Sequence, residues 1–253
     1  MMREETVFGP IHSRRLGSSL GINLLPTRGK ICNFDCIYCE CGWNRDGRGD
    51  TVLPTAAKVR ADLEDKLTEL MLEGTRIDSI TFSGDGEPTL NPEFPRIVDD
   101  TLFLRDAYCP DAKVSVLTNA TRAHVPEVFT ALCKVDNPIL KIDAPTDELV
   151  ARINQPAPGY SLERVIRALE LFGGNFILQT MFLKSPDFDS SSPEVLQGWM
   201  DIVRRLKPRK IMVYTIDRPT PQKGLEAFTV EQMRQLVQPL ADEGYHIDIK
   251  GKE

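Results

Sequence analysis

Short apolar runs alternate with helical patterns along most of this chain, and no other feature limits its fold so strongly. Each run is four to eight residues long and rich in Ile, Val, Leu, Phe or Thr, as buried parallel strands are. The predicted strands are 19–25, 77–83, 113–119, 138–144, 176–183 and 210–216. Apolar side chains recur at every third or fourth position in four other segments, which predicts helices with one buried face. These segments are 59–71, 162–172, 195–206 and 233–240, and the first stripe includes Met71.

The order of these patterns predicts the fold class. A strand that alternates with a helix six times is typical of a parallel sheet with right-handed crossovers. Six units are too few to close an eight-unit barrel. We therefore expect an α/β fold, a partial (β/α)6 TIM-like barrel with parallel strands, as a single domain over residues 1–253, with 245–250 as a candidate edge strand. In such folds the chemistry lies at the carboxyl ends of the strands.

The balance of charges disfavours a nucleic acid partner. The chain has 31 basic and 37 acidic residues, a net charge of −6. Proteins that bind nucleic acids usually present a basic surface instead. One dense basic stretch, residues 204–210, is interpreted as a helix end, where cations complement the helix dipole.

The sequence also predicts a compartment. No uncharged apolar run approaches the roughly 20 residues that a membrane-spanning helix needs. The first ten residues lack the basic head and apolar middle of a signal peptide. We therefore expect a cytoplasmic protein without a membrane partner, in which clustered cysteines are metal ligands or catalysts more often than disulfides.

A cysteine-rich loop follows the first predicted strand. Cys32, Cys36, Cys39 and Cys41, four of the six cysteines, lie within ten residues. Three thiolates at positions i, i+4 and i+7 can converge on one iron–sulfur cluster, which cysteines hold in this way. A structural zinc site or ordinary buried cysteines are the alternatives, although tetrahedral zinc more often draws paired cysteines from two places.

The spacing Cys32-x-x-x-Cys36-x-x-Cys39, with Tyr38 before the last cysteine, resembles the signature of the radical S-adenosylmethionine (radical SAM) superfamily. The resemblance implies that Cys32, Cys36 and Cys39 hold three irons of a [4Fe–4S] cluster, whose fourth iron binds S-adenosylmethionine. It also implies reductive cleavage of that cofactor to a 5′-deoxyadenosyl radical, which abstracts hydrogen from a substrate. Tyr38 would then pack near the adenine of the cofactor.

The other cysteines have separate interpretations. If Cys41 were a fourth ligand, the cluster would be closed and the protein would only carry electrons. Because only one residue separates Cys39 from Cys41, Cys41 could bind the fourth iron only with a strained backbone. Cys41 is therefore interpreted as a thiol outside the cluster or a packing residue. Cys109 and Cys133 are expected to pack away from the predicted site.

The segment 81–90, "TFSGDGEPTL", ends the second predicted strand and resembles the glycine-rich Gly-Gly-Glu-Pro segment of the same family. The family implies that the turn from Ser83 through Gly84, Asp85 and Gly86 approaches the cofactor and that Glu87 binds the methionine ammonium. Asp85 stands between the two glycines and departs from the family pattern. A plain turn is the alternative interpretation of this segment.

Polar residues also end the later strands. Asn119 lies at the end of the third, and Asp143 lies at the end of the fourth and resembles the acidic residue that binds the ribose hydroxyls. Both could instead cap the next helix. Gln179 lies in the fifth strand and is a further cofactor-binding candidate. After the sixth, Asp217 and Arg218 are the catalytic candidates, with Arg218 gripping an anionic substrate through its forked donors.

The segment 13–22, "SRRLGSSLGI", resembles a branch of radical SAM proteins related to the wyosine-forming tRNA enzymes. The predicted function is nonetheless radical chemistry on a small, anionic substrate, with a flavodoxin- or ferredoxin-like electron donor as partner. The alternatives are an activase for a glycyl-radical enzyme, which would have a protein substrate, a tRNA-modifying enzyme and an iron–sulfur electron carrier. The acidic charge balance and the absence of a second cysteine trio weaken the tRNA alternative.

Overall fold

The structure, a computed structural model, describes residues 5–13, 16–47 and 49–251. The two arginines of the segment 13–22, Arg14 and Arg15, therefore lie outside the described residues. Contacts divide the chain into two compact units that interleave along the sequence. The first comprises the described residues of Met1–Cys32, Asn44–Thr118 and Arg122–Pro138, and the second those of Asn33–Trp43, Asn119–Thr121 and Ile139–Glu253. The prediction of a single domain stays a prediction.

The first unit combines a mostly parallel sheet with three helices. Its elements are β1 (Val7–Ser13), β2 (Gly17–Ile22), α1 (Ala56–Leu72), β3 (Ser79–Phe82), α2 (Phe94–Tyr108), β4 (Lys113–Thr118) and α3 (Pro126–Lys134), with 3₁₀ turns at Asn44–Gly47 and Pro88–Leu90. The strand order is β1-β2-β3-β4. β1 pairs antiparallel with β2, whereas β2, β3 and β4 pair in parallel.

The strands of the first unit alternate between an apolar face and a hydroxyl face. Leu20, Ile80 and Val114 share one register across the sheet and are completely buried. On the other face the Ser19 and Thr81 hydroxyls are 2.8 Å apart, within a buried set of hydroxyl hydrogen bonds. Both faces are buried, and the small hydroxyls on one face satisfy one another by hydrogen bonding.

Helix α1 forms where the sequence predicts it. The Thr55 hydroxyl caps its start by accepting a hydrogen bond from the Lys58 N–H, and the apolar residues from Val59 to Leu70 are buried. Met71, predicted on the same stripe, is 56% exposed. That part of the prediction is wrong: Met71 lies in the last turn of α1, where the buried stripe has ended at Leu70.

The second unit continues the alternation of strands and helices. Its elements are β5 (Asn137–Lys141, of which Ile139–Lys141 belong to this unit), α4 (Asp147–Ile153), α5 (Leu162–Glu170), β6 (Ile177–Ser185), β7 (Phe188–Asp189), α6 (Pro193–Leu206), β8 (Lys210–Thr215), β9 (Glu226–Ala227), α7 (Val230–Asp242) and β10 (Ile247–Lys250). β5, β6, β8 and β10 pair in parallel in that order, and the two-residue strands β7 and β9 pair antiparallel with β6.

The predicted α/β class with parallel strands is confirmed, and β10 confirms the candidate edge strand. The sequence analysis missed β1, because Pro10 and the preceding glycine argue against a strand. It also missed β7 and β9, which are too short to show a period. Within the described residues, no helix is both long enough and apolar enough to cross a membrane.

Candidate functional site

The backbone before Cys32 pairs with the glycine turn after β3. Ile31 forms a parallel bridge with Gly86: the Ile31 N–H donates to the Asp85 carbonyl at 3.2 Å, and the Glu87 N–H donates to the Ile31 carbonyl at 3.0 Å. The Asn44 side chain donates to the Cys32 carbonyl at 3.0 Å. The first unit therefore holds Cys32 directly beside the predicted Gly84–Glu87 segment.

The two glycines of this turn are required by the protein itself. Gly86 has a φ of +143°, and a Cβ on it would lie 1.9 Å from the Ile31 carbonyl oxygen. A Cβ on Gly84 would lie 2.0 Å from Asn23 Oδ1, which accepts from the Leu25 and Asp85 N–H groups. The sequence analysis assigned the glycines to close approach by a cofactor. In the structure, the turn packs so tightly against Ile31 and Asn23 that neither glycine position has room for a Cβ atom.

Glu87 lies buried between the ends of β3 and β4, with 2% of the residue exposed. Its Oε1 accepts from the Thr89 N–H at 3.1 Å, the Thr89 hydroxyl at 2.6 Å and the Thr118 hydroxyl at 2.6 Å. These hydrogen bonds fix the position of the side chain. A contact between Glu87 and a methionine ammonium stays a prediction.

The rest of the cysteine loop belongs to the second unit and is fixed to the end of α4. The Asp35 N–H donates to the Asn154 carbonyl at 2.9 Å, and the Ile37 N–H donates to the Ile153 carbonyl at 3.0 Å. These bonds satisfy carbonyls that a helix end leaves without an intrahelical partner. They also place Cys36, which lies between the two donors, next to the side chain of Asn154.

A buried polar network surrounds Tyr38 and Asp143. The Tyr38 hydroxyl donates to Asp143 Oδ2, which also accepts from Asn154 Nδ2 at 2.7 Å, while Asp143 Oδ1 accepts from the Met181 N–H at 2.9 Å. Lys141 Nζ lies 3.6 Å from Asp143 Oδ2 and donates to the hydroxyls of Tyr38 at 3.0 Å and Tyr214 at 2.6 Å. The Asp143 side chain is 0% exposed. The carboxylate is therefore paired and hydrogen-bonded, as a buried charge must be.

Burial and charge shift the pKa values of this network. Burial raises the pKa of the Cys36 thiol to about 11, although Lys141 and the Asn154 hydrogen bond act in the opposite direction. Burial, and next the charge of Asp143, raise the pKa of Tyr38. Burial by itself lowers the pKa of Lys141, but attraction to Asp143 outweighs it and the pKa is raised. The raised pKa favours the charged form of Lys141, whose charge in turn acts on Cys36.

Asn119 and Gln179 are also buried in the second unit. The Asn119 amide donates to Asn33 Oδ1 at 2.7 Å, and its own oxygen accepts from the Thr121 hydroxyl at 2.7 Å. Asn119 therefore fixes the residue that follows Cys32 in the chain. Gln179 lies in β6 and pairs in register with Lys141 of β5.

The predicted catalytic residues lie at the surface. Arg218 Nη1 bonds Glu40 Oε2 at 2.8 Å, with the two side chains 63% and 48% exposed, and Asp217 is half-buried. Sequence reasoning missed Glu40, which lies next to Cys39 in the chain. The ion pair ties the region after β8 to the cysteine loop within the second unit.

All six cysteines are described, and none forms a disulfide. Cys133 was expected to pack but is exposed on α3, whereas Cys109 caps the end of α2 and is partly buried. Among the residues that the structure describes, no three His, Cys, Asp or Glu side chains are grouped as a site for a single metal ion.

Sequence reasoning also missed Lys141, Tyr214 and Asn154. Lys141 had a signal, because it lies two residues before Asp143 and so shares its face at the end of a strand. Asn154 had none, because the loop contact that gives it a role lies 118 residues away along the chain.

Comparison with known proteins identifies the family. A sequence model of the radical SAM superfamily matches residues 27–183, more than half of the chain. A UPF0026 protein of Synechocystis sp. is 31% identical over 228 residues, which are 87% of this chain and 79% of the relative. A protein of Brachyspira hyodysenteriae named GTPase Obg is 30% identical over 92% of this chain, but the chain spans only 33% of that relative.

Solved structures share the fold. A radical SAM methyltransferase from Sphaerobacter thermophilus superposes with a TM-score of 0.68 at 16% identity, covering 92% of this chain and 65% of the methyltransferase chain. Archaeal TYW1 gives a TM-score of 0.55 at 11% identity, covering 90% and 72%. The α/β fold thus resembles the partial barrels of radical SAM structures, as the cysteine spacing predicts. The chain belongs to the radical SAM superfamily and is a member of the UPF0026 proteins.

Proposed function

We propose that this chain holds a [4Fe–4S] cluster through Cys32, Cys36 and Cys39 and uses it with S-adenosylmethionine to begin a radical reaction on a small anionic substrate. The observation that carries the proposal is the match of residues 27–183 to the radical SAM superfamily, because that segment includes all three cysteines. When bound, the cluster and the cofactor supply one-electron cleavage of a carbon–sulfur bond and, from it, a 5′-deoxyadenosyl radical.

The donor set fits an iron–sulfur cluster. Cysteine thiolates are the ligands that hold such clusters, and the three cysteines form no disulfides. Backbone hydrogen bonds fix the loop on both sides of Cys36, and Asn44 fixes the carbonyl of Cys32. Because these hydrogen bonds already hold the backbone of the loop, they need not rearrange for the cysteine sulfurs to bind a cluster.

The buried carboxylates are our candidates for orienting the cofactor. Glu87 Oε1 accepts hydrogen bonds from Thr89 and Thr118, which hold the carboxyl group in place. Within the described residues Asp143 Oδ1 accepts one hydrogen bond, from the Met181 N–H, and each carboxylate oxygen can accept two. We propose that Glu87 binds the methionine ammonium and Asp143 a ribose hydroxyl, with Tyr38, Ser83, Gly84, Asp85, Gly86, Asn119 and Gln179 shaping the same site.

The charge of the chain supports a small anionic substrate. A net charge of −6 repels a polyanion such as tRNA over a large contact surface, whereas one small anion needs only a local cation. We propose Arg218 for that contact. Its guanidinium is exposed and its partner Glu40 is exposed as well, so an anionic group can compete for the same donors.

Reductive turnover tests the proposal. The protein is purified without oxygen, loaded with iron and sulfide, and reduced in the presence of S-adenosylmethionine. We expect 5′-deoxyadenosine and methionine in equal amounts. Cys36→Ala should lose both the cluster and the cleavage, whereas the matched variant Cys133→Ala, which removes an exposed cysteine on α3, should retain them.

Each alternative gives a different result in that experiment. An electron carrier would be brown but would not cleave the cofactor, and Cys41→Ala would lose its cluster. A zinc protein would be colourless and contain zinc. Cleavage that persists in Cys36→Ala would contradict the proposal. Turnover with small anions, tRNA and candidate partner proteins, each followed by mass spectrometry, then separates the substrate classes.

A further inference from the structure

Asn154 directly contacts one of the proposed cluster ligands. It follows the last residue of α4, and only 1% of the residue is exposed. Its side-chain Nδ2 lies 3.3 Å from Cys36 Sγ, 2.7 Å from Asp143 Oδ2 and 3.1 Å from the Tyr38 hydroxyl oxygen. A buried amide N–H thus points at the sulfur of Cys36.

We propose that Asn154 is a positioning residue that raises the reduction potential of the cluster through its hydrogen bond to Cys36 Sγ. The inference rests on the proposed function, because it needs Cys36 to be a cluster ligand. Reduction places more negative charge on the iron-bound sulfur. A donor to that sulfur therefore stabilises the reduced state more than the oxidised state, and hydrogen bonds to the sulfurs are among the factors that set cluster potentials.

The surroundings of the amide fix which of its atoms faces the sulfur. Asp143 Oδ2 accepts a hydrogen bond from the Tyr38 hydroxyl, so this carboxyl oxygen and the Tyr38 oxygen both present lone pairs to Asn154. Only the NH₂ end of the amide suits such neighbours. We assign one of the two amide hydrogens to Asp143 Oδ2, which is the acceptor nearest to Asn154 Nδ2. The other is shared by Tyr38 and Cys36, and an iron-bound thiolate, which carries no proton, is the stronger acceptor of the two.

Backbone bonds hold the donor in place independently of the side chain. The Asn154 N–H donates to the Val150 carbonyl at 2.8 Å, and the Asn154 carbonyl accepts from the Asp35 N–H at 2.9 Å. The second bond joins Asn154 to the residue that precedes Cys36. The donor and the sulfur therefore belong to one rigid local frame, so a side-chain substitution removes the hydrogen bond without releasing the loop.

The test compares two buried amides. Asn154→Leu removes the donor to Cys36 at similar volume. Asn91→Leu is the matched control: Asn91 is 2% exposed, donates to the Leu24 carbonyl at 3.1 Å and to the Pro54 carbonyl at 2.9 Å, and makes no hydrogen bond to sulfur within the described residues. Both variants should lower the Tm. Only Asn154→Leu should alter the midpoint potential of the cluster, which is measured by redox titration with electron paramagnetic resonance and without S-adenosylmethionine.

We expect an approximately tenfold smaller equilibrium constant for reduction in Asn154→Leu, which corresponds to a potential about 59 mV more negative for a one-electron couple. If Asn154→Leu does not fold, Asn154→Asp keeps the shape, removes the amide donor and should shift the potential in the same direction. An unchanged potential, or an equal shift in Asn91→Leu, overturns the inference. A lack of iron in the unsubstituted protein would instead refute the proposed function, before any variant is compared.

Discussion

Gly86→Ala should destabilise the protein far more than an ordinary glycine substitution, because Gly86 joins the turn after β3 to the residue before Cys32. The backbone φ of +143° is a conformation that only glycine adopts easily, and strain of this kind costs about 1–3 kcal/mol. A Cβ 1.9 Å from the Ile31 carbonyl oxygen also forces the two segments apart. That movement breaks the hydrogen bonds on either side of Gly86, at 3.2 and 3.0 Å, which contribute about 0.5–1.5 kcal/mol each.

The total expected loss is about 2–6 kcal/mol, out of the roughly 5–15 kcal/mol that stabilise a typical domain. Gly74→Ala is the matched control. Gly74 follows α1 with a φ of +68° and has no heavy atom within 4 Å of an added Cβ, so the substitution costs only the backbone strain of about 1–2 kcal/mol. Urea unfolding followed by circular dichroism gives both free energies of unfolding by linear extrapolation. Equal losses in the two variants would refute the reasoning.

Two further predictions concern charged groups of the second unit. Lys141→Met leaves the buried Asp143 carboxyl group without its partner and should lower the free energy of unfolding by about 3 kcal/mol, measured by urea unfolding. Adding Asp143→Asn to this variant should restore part of the lost stability. If the effects of the two substitutions are strictly additive in the double variant, the pairing of the two side chains is contradicted. Hydrogen bonds from Arg205 and Arg167 lower the pKa of Glu163 from 4.5 to about 2. The ionised Glu163 carboxylate therefore contributes its full stability above about pH 4.5, and this contribution is lost as the pH falls towards 2. Glu163→Gln should have a lower Tm than the unsubstituted protein at pH 6, and the two Tm values should converge near pH 2. A Tm difference that does not change with pH would contradict the ion pairs.

The parallel strands could be predicted from the sequence because burial on both faces enriches short segments in Ile, Val, Leu, Phe and Thr. β1 could not, because Pro10 breaks its pattern and only pairing with β2 makes it a strand. A local apolar pattern also does not show where the buried face of a helix ends: in α1 the pattern includes Met71, which is exposed.

Some residues of the candidate site could also be predicted from the sequence, whereas their partners could not. The proposed cluster ligands Cys32, Cys36 and Cys39 could be predicted from their spacing, because residues so close in the chain lie close in space whatever the fold. Glu87 and Asp143 were predicted as cofactor-binding residues because both lie at strand ends, where the chemistry of such folds is found, and these roles stay predictions. Arg218 was predicted as a substrate-binding residue, but its ion-pair partner Glu40 lies 178 residues away and could not be inferred.

The sequence by itself thus determined the fold class and the spacing of the cysteines that we propose as cluster ligands, because both are encoded in residues that are neighbours along the chain. The tertiary structure alone decided what surrounds those ligands: the Asn154 amide against Cys36, the Lys141 cation between two tyrosines, and the Ile31 carbonyl that only glycine at position 86 can approach. These contacts join residues from distant segments, and no local pattern encodes a hydrogen bond whose donor and acceptor meet only after the chain has folded.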